Sequence, residues 1–209
     1  KVASAKDDGA IYAIAQNQRG AVAGFSSVIN SLNNGSSAID VALSAGQSIS
    51  DLLIQLKQKA LSAADPSLDT ASRQALNSDF TALRDQISTI VKNAVFNGFN
   101  LVDGSTNQIT ALASADGTRR ITTQAQNMSL SGSIVTMATT ATISTQAKAS
   151  TLVATIQASL TNVNSALAKL SAGAAKFSIQ STFAQNLSDT LTTGIGNLVD
   201  ANMAQESAS

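Results

Sequence analysis

The chain has 209 residues, enough for one or two domains with a substantial core. Thirteen Lys and Arg balance thirteen Asp and Glu, and charged residues are only 12% of the total, so no electrostatic footprint for nucleic acid is present and the neutral surface favours self-association. The absence of Cys and His excludes disulfides, thiol nucleophiles, Cys/His zinc sites and imidazole bases, and no apolar run reaches the roughly 18 residues of a membrane span.

Residues 7–64 read as helix. Ile11, Ile14, Val22, Phe25, Val28 and Leu32 form an apolar stripe with a gap at Gln18, and Ile39, Leu43, Ile49, Leu53, Leu56 and Ala60 continue it. Gly20, Gly24, Gly35 and Gly46 each cost roughly 1 kcal/mol against Ala in a helix interior. The segment "NSLNNGSS" at 30–37 is the weakest link, but the stripe resumes in phase, which predicts one long helix. Pro66 disfavours helix at Asp65 and ends this element, and Asp69 or Thr70 can cap the next. Leu76, Phe80, Leu83, Ile87, Ile90 and Val91 then predict an amphipathic helix to about Asn93. Asn97-Gly98 and Asp103-Gly104 tolerate positive φ, so the helix gives way to a tight turn and extended chain.

Residues 105–144 change texture. Ile and Thr flank Asp116-Gly117, a hairpin signal, and "SLSGSIVTMATTATIS" suits a loop or an edge strand. Helical periodicity returns at about 146. Leu152, Ile156, Leu160, Val163, Leu167 and Leu170 form one stripe, and Phe183, Leu187, Leu191, Ile195, Leu198 and Met203 another, with Gly173 bending the helix or absorbed in it. Each stripe residue gains about 1.5–3 kcal/mol on burial, so three or four helices should pack side by side. The expected fold is mainly α: an elongated bundle of long helices from both chain ends with a small β-hairpin insert. The bundle domain would comprise 1–104 and 146–209, and a β-rich variable insert 105–145. With six Phe and one Tyr, aliphatic and Ala contacts must carry the core.

Three segments in this order, "SAKDDGAIYAIA" (4–15), "FNGFNLVDG" (96–104) and "GNLVDANMAQESA" (196–208), closely resemble bacterial flagellin. The resemblance covers roughly 1–104 and 146–209. It implies a flagellin core-domain fold in which Phe96, Asn97, Gly98, Asp103 and Gly104 define the turn where the chain leaves the bundle. It implies a structural, non-enzymatic, extracellular role: the subunit of a motility filament that binds other flagellin subunits, an export chaperone and a cap, with no cofactor. It also implies terminal helices beyond both ends, so the chain reads as an excised piece, expected to stay largely monomeric. Flagellins carry a segment, usually L-Q-R-x-R-E-L-A, recognised by an innate immune receptor. Its equivalent here, "LIQLKQKA" (53–60), is altered: Gln55 replaces the first Arg, Lys57 the second, Gln58 the Glu and Lys59 the Leu, and Gln86 sits where many members carry Glu. Arg and Lys are not interchangeable at bidentate contacts, so weak or no receptor activation is expected.

The remaining motifs weigh towards structure. Asp7 and Asp8 are adjacent, face apart on a helix, and suit its N-terminus. "GIGNLV" (194–199) lacks the third Gly and the preceding strand of a dinucleotide site. Lys148, Lys169 and Lys176 lie near hydroxyls, but no spacing favours a Ser-Lys dyad. Asn34, Asn127 and Asn186 begin N-x-S sequons of little force in a bacterial protein, where Ser and Thr in 129–151 are the better sugar sites by family habit. Arg119 and Arg120, with Lys148, suggest a second reading: a surface homologue that holds an acidic polysaccharide through guanidinium–carboxylate pairs.

Overall fold

The computed structural model describes residue 6 and residues 8–206, with side chains to 199. Asp7 and Met203 lie outside the described residues or side chains. Helix α1 (Gly9–Ala63, 55 residues) starts where Asp8 Oδ1 accepts from the amides of Ala10 (2.9 Å) and Ile11 (3.1 Å). Asp8 is thus a helix cap. The helix runs unbroken through 30–37, because Gly35 faces the buried ring of Phe177, and a Cβ there would collide with it. Phe25, Val28, Leu32, Ile39, Ile49, Leu53, Leu56 and Ala60 are buried as the stripe predicts. Ile14 is not: it is 48% exposed, and Ala15 is buried instead. At 3.6 residues per turn, positions 11, 15, 18, 22 and 25 line up, which leaves Ile14 one residue off the inward face.

Arg73 closes the connection to the next helix: its Nε donates to Ala63 O and its Nη2 to Asp65 O, both at 2.9 Å. Helix α2 (Thr70–Asn93) is capped by Asp69, whose Oδ1 accepts from Ser72 N at 2.9 Å and whose Oδ2 accepts from Ser72 Oγ at 2.7 Å. The Ser72 hydroxyl, then the Ser72 amide, holds the Asp69 carboxyl below its ordinary value of 3.8. A lowered folded-state value means the cap contributes fully above the ordinary carboxylate range and is lost as pH falls through the folded value. Fraying of residues 70–73 on acidification, read from amide chemical shifts and absent in Asp69→Asn, is the expected result.

A two-residue hairpin follows, β1 (Val95–Phe96) against β2 (Phe99–Asn100), antiparallel with Val95 opposite Asn100 and Phe96 opposite Phe99. A second pair, β3 (Gln108–Leu112) and β4 (Arg120–Gln124), flanks the Asp116-Gly117 tip, and its main chain is bonded from Ala113 N to Arg119 O at 2.9 Å. At the tip, the Ser114 hydroxyl and then Thr118 lower Asp116 from 3.8 to about 2. The stretch after β4 is mostly irregular, yet Met128, Leu130, Val135, Met137 and Ile143 are buried in it. Its backbone is satisfied by helix side chains. Arg84 Nη1 donates to Ala141 O (2.7 Å), Asn162 Nδ2 to Ile134 O (3.2 Å), and Asn77 Oδ1 accepts from Ile143 N (2.8 Å). The expectation of a loop or an edge strand here missed that the stretch supplies core.

Helix α3 (Gln146–Glu206, 61 residues) begins at Thr145, whose Oγ1 accepts from Lys148 N at 3.3 Å. Ile156, Leu160, Val163 and Leu170 are buried as predicted, and Gly173 is absorbed into the helix, packed on Thr123. Phe183 departs from its stripe at 57% exposed, since the buried positions Phe177 and Ala184 set the inward line one residue away.

The chain forms two compact units: Lys1–Ser36 with Thr110–Thr122 and Ala175–Ser209, and Ser37–Ile109 with Thr123–Ala174. Residues 105–145 are divided between them. Each unit joins α1 to α3. In the first, Phe177 fills the space at Gly35, Gln180 Nε2 donates to Ala113 O (2.9 Å), and Leu112 N donates to Ser31 Oγ (3.0 Å). In the second, a Cβ at Gly46 would lie 2.7 Å from Leu167 Cδ2, and Lys57 Nζ donates to Gln157 Oε1 at 2.6 Å.

Candidate functional site

The turn that opens the insert is built from residues of special backbone geometry. Asn97 has φ 48° and Gly98 φ 82°, two successive positive values as a two-residue hairpin loop requires. Phe96 is half-buried beside them. Asp103 Oδ1 accepts from Ser105 N (2.8 Å) and Ser105 Oγ (2.6 Å), and Gly104 takes φ 86° against the Asn127 side chain. The residue that ties this corner down is Asn100, which the sequence reading passed over. It is 4% exposed; its Nδ2 donates to Val91 O at 2.7 Å, and its Oδ1 accepts from Val102 N (2.9 Å) and Asp103 N (3.1 Å). One amide thus joins the last turn of α2 to the bend after β2. The available signal was a polar residue at a strand position whose alternation points inward.

The altered receptor segment lies on α1. Gln55 and Gln58 are exposed, but both lysines serve the bundle: Lys57 bonds Gln157 of α3, and Lys59 pairs with Asp79 of α2 at 2.6 Å. The apolar neighbours Ile54 and Leu61 are 49% and 62% exposed. Gln86 is exposed on α2, lining a shallow groove with Val41, Ala45 and Ile90. Exposed ion pairs contribute little, so Lys59→Gln should lower stability by less than about 1 kcal/mol, and the difference should shrink further in high salt. Urea unfolding at two salt concentrations reads both.

Arg119 and Arg120 are exposed and line a cleft of about 600 Å³ with Phe25, Gln180 and Phe183. Lys148 is exposed in another cleft, of about 550 Å³, walled by threonines such as Thr136, Thr151 and Thr155. The three cations do not line one cleft. Among the described residues no cluster of three His, Cys, Asp or Glu could hold a metal, and no helix is long and apolar enough to cross a membrane.

Residues 1–107 match the family model for the bacterial flagellin N-terminal helical region. Flagellin FljK of Caulobacter vibrioides is 48% identical over 208 residues, covering 100% of this chain and 75% of that protein. The chain belongs to the flagellin family. Two solved structures share its fold. The crystal structure of Bacillus cereus flagellin aligns with TM-score 0.58 at 21% identity, over 76% of this chain and 86% of that one. A putative flagellar hook-associated protein from Vibrio parahaemolyticus aligns with TM-score 0.72 at 14% identity, over 93% and 100%. Flagellins are structural subunits of the extracellular flagellar filament and assemble with one another, and this flagellin is such a subunit. The Asn97-Gly98 turn lies within the N-terminal flagellin region. Capture of an acidic polysaccharide finds no support in these relatives.

Proposed function

We propose that the work of this flagellin in the filament is mechanical and carries no catalysis: the packed helices keep a fixed surface against neighbouring subunits. The observation that supports this reading is the joint construction of each compact unit from α1 and α3, with an Ala-, Leu- and Ile-rich buried core. Such a core resists deformation because its contacts are close-packed and small changes of volume are felt. Polar side chains on the helix exteriors, with few charges, suit lateral contacts that need not desolvate ions. Before assembly, an export chaperone and a cap protein are the partners this role requires. The altered segment at Gln55, Lys57, Lys59 and Gln86 leaves the immune receptor without its Arg contacts, and its lysines are engaged within the bundle.

The test is complementation. Produced from its full gene in a bacterium stripped of its own flagellins, the protein should yield filaments visible by electron microscopy and restore swimming. Export of the folded-competent subunit without filaments would refute the reading.

A further inference from the structure

We infer that Asn97 is a site of spontaneous covalent modification: it cyclises onto the Gly98 nitrogen, loses ammonia and becomes aspartate or isoaspartate, and the isoaspartate product undoes the hairpin. The chain contains two Asn-Gly pairs, Asn34-Gly35 and Asn97-Gly98, chemically equal as sequence. Structure separates them. Gly35 lies inside α1, buried against Phe177, its nitrogen held in the regular bonding of a helix interior. Attack by that nitrogen would require local unfolding of a packed helix.

Asn97 and Gly98 are both exposed at the tip of the two-residue hairpin, and nothing lies within 4 Å of the point where a Gly98 side chain would begin. No hydrogen bond holds the Asn97 side chain among the described residues. Asn97 holds the left-handed φ of 48° that the turn requires, and Gly98 beside it, with no Cβ, gives the backbone freedom to leave that conformation. Strands of two residues hold such a turn weakly. Local opening therefore presents the Gly98 nitrogen to the Asn97 carboxamide carbon.

The step balances with water as the only co-reactant. The Gly98 amide gives its proton to solvent base, and its nitrogen bonds Asn97 Cγ. The Cγ–Nδ2 bond breaks, and Nδ2, taking one proton back from solvent, leaves as ammonia. Water then opens the five-membered imide at either carbonyl: one product is aspartate, the other isoaspartate, with an extra methylene in the main chain. That methylene lengthens a two-residue loop that tolerates no slack, so the Val95–Asn100 and Phe96–Phe99 register cannot persist in the isoaspartate form.

The unmodified protein is incubated at mildly alkaline pH, natively and in denaturant, and both peptides are followed by mass spectrometry with fragmentation that distinguishes isoaspartate. In the native protein, Asn97 should convert at least about tenfold faster than Asn34, and in denaturant the two rates should converge. Native conversion at Asn97 no faster than at Asn34 would overturn the inference, as would equal ratios in both conditions.

Discussion

Phe177→Ala should lower the unfolding free energy by about 3–5 kcal/mol, the cost of emptying a fully buried aromatic site. The ring is the knob that Gly35 accepts, and it ties α3 to the part of α1 with the poorest helix propensity. The partner variant sharpens the expectation. Gly35→Ala should gain about 1 kcal/mol of helix propensity, yet its Cβ would enter the Phe177 ring, and overpacking of that kind costs typically 1–3 kcal/mol. Alone, then, Gly35→Ala should be neutral to destabilising. In the Phe177→Ala background the same change should become stabilising, because the space is vacant. Denaturant unfolding of the two single variants and the double variant measures this coupling. A Phe177→Ala loss under about 1 kcal/mol, or a Gly35→Ala effect indifferent to position 177, would show that the two residues do not meet.

Asn100→Ala should cost about 2–4 kcal/mol, although it removes no apolar packing of note. The variant leaves Val91 O, Val102 N and Asp103 N without their partner in a buried corner, and unsatisfied buried groups cost more than a hydrogen bond contributes. Asn100→Asp should not rescue it. A carboxylate keeps the acceptor for Val102 and Asp103 but sets a second acceptor against Val91 O, and burial raises its pKa. A raised folded-state value makes that variant's stability greatest below the ordinary carboxylate range and declining as pH rises. Amide exchange of residues 101–104 reports the local loss, and thermal unfolding reports the global one. Unchanged exchange in Asn100→Ala would place the tie elsewhere.

The long helices were legible because burial follows a 3.6-residue stripe over dozens of positions, so single errors of phase do not matter. Ile14 and Phe183 show the limit. Each sits one residue from the true inward line, and a large apolar side chain attracts the reading more strongly than the small Ala15 or Ala184 that is buried. The turns were legible for a chemical reason: Asn97, Gly98 and Gly104 adopt positive φ. The stretch from 128 to 143 was opaque because its satisfaction is tertiary. Met128 and Leu130, then Val135 and Met137, alternate at a spacing of two, but Thr and Ser between them look like solvated loop. Its bonds come from Asn77, Arg84, Ser159 and Asn162, on helices far away in the chain, and no local pattern announces them. Asn100 was hidden in the same way, as one Asn among many.

The central claim is that the two ends of the polypeptide, the first part of α1 and the last part of α3, pack together within one compact unit. A photoreactive phenylalanine analogue in place of Phe177 tests it in a single irradiation. Adducts should map to α1 around Gly35, within the same molecule. Adducts confined to neighbouring residues of α3, or formed only between molecules, would contradict the account.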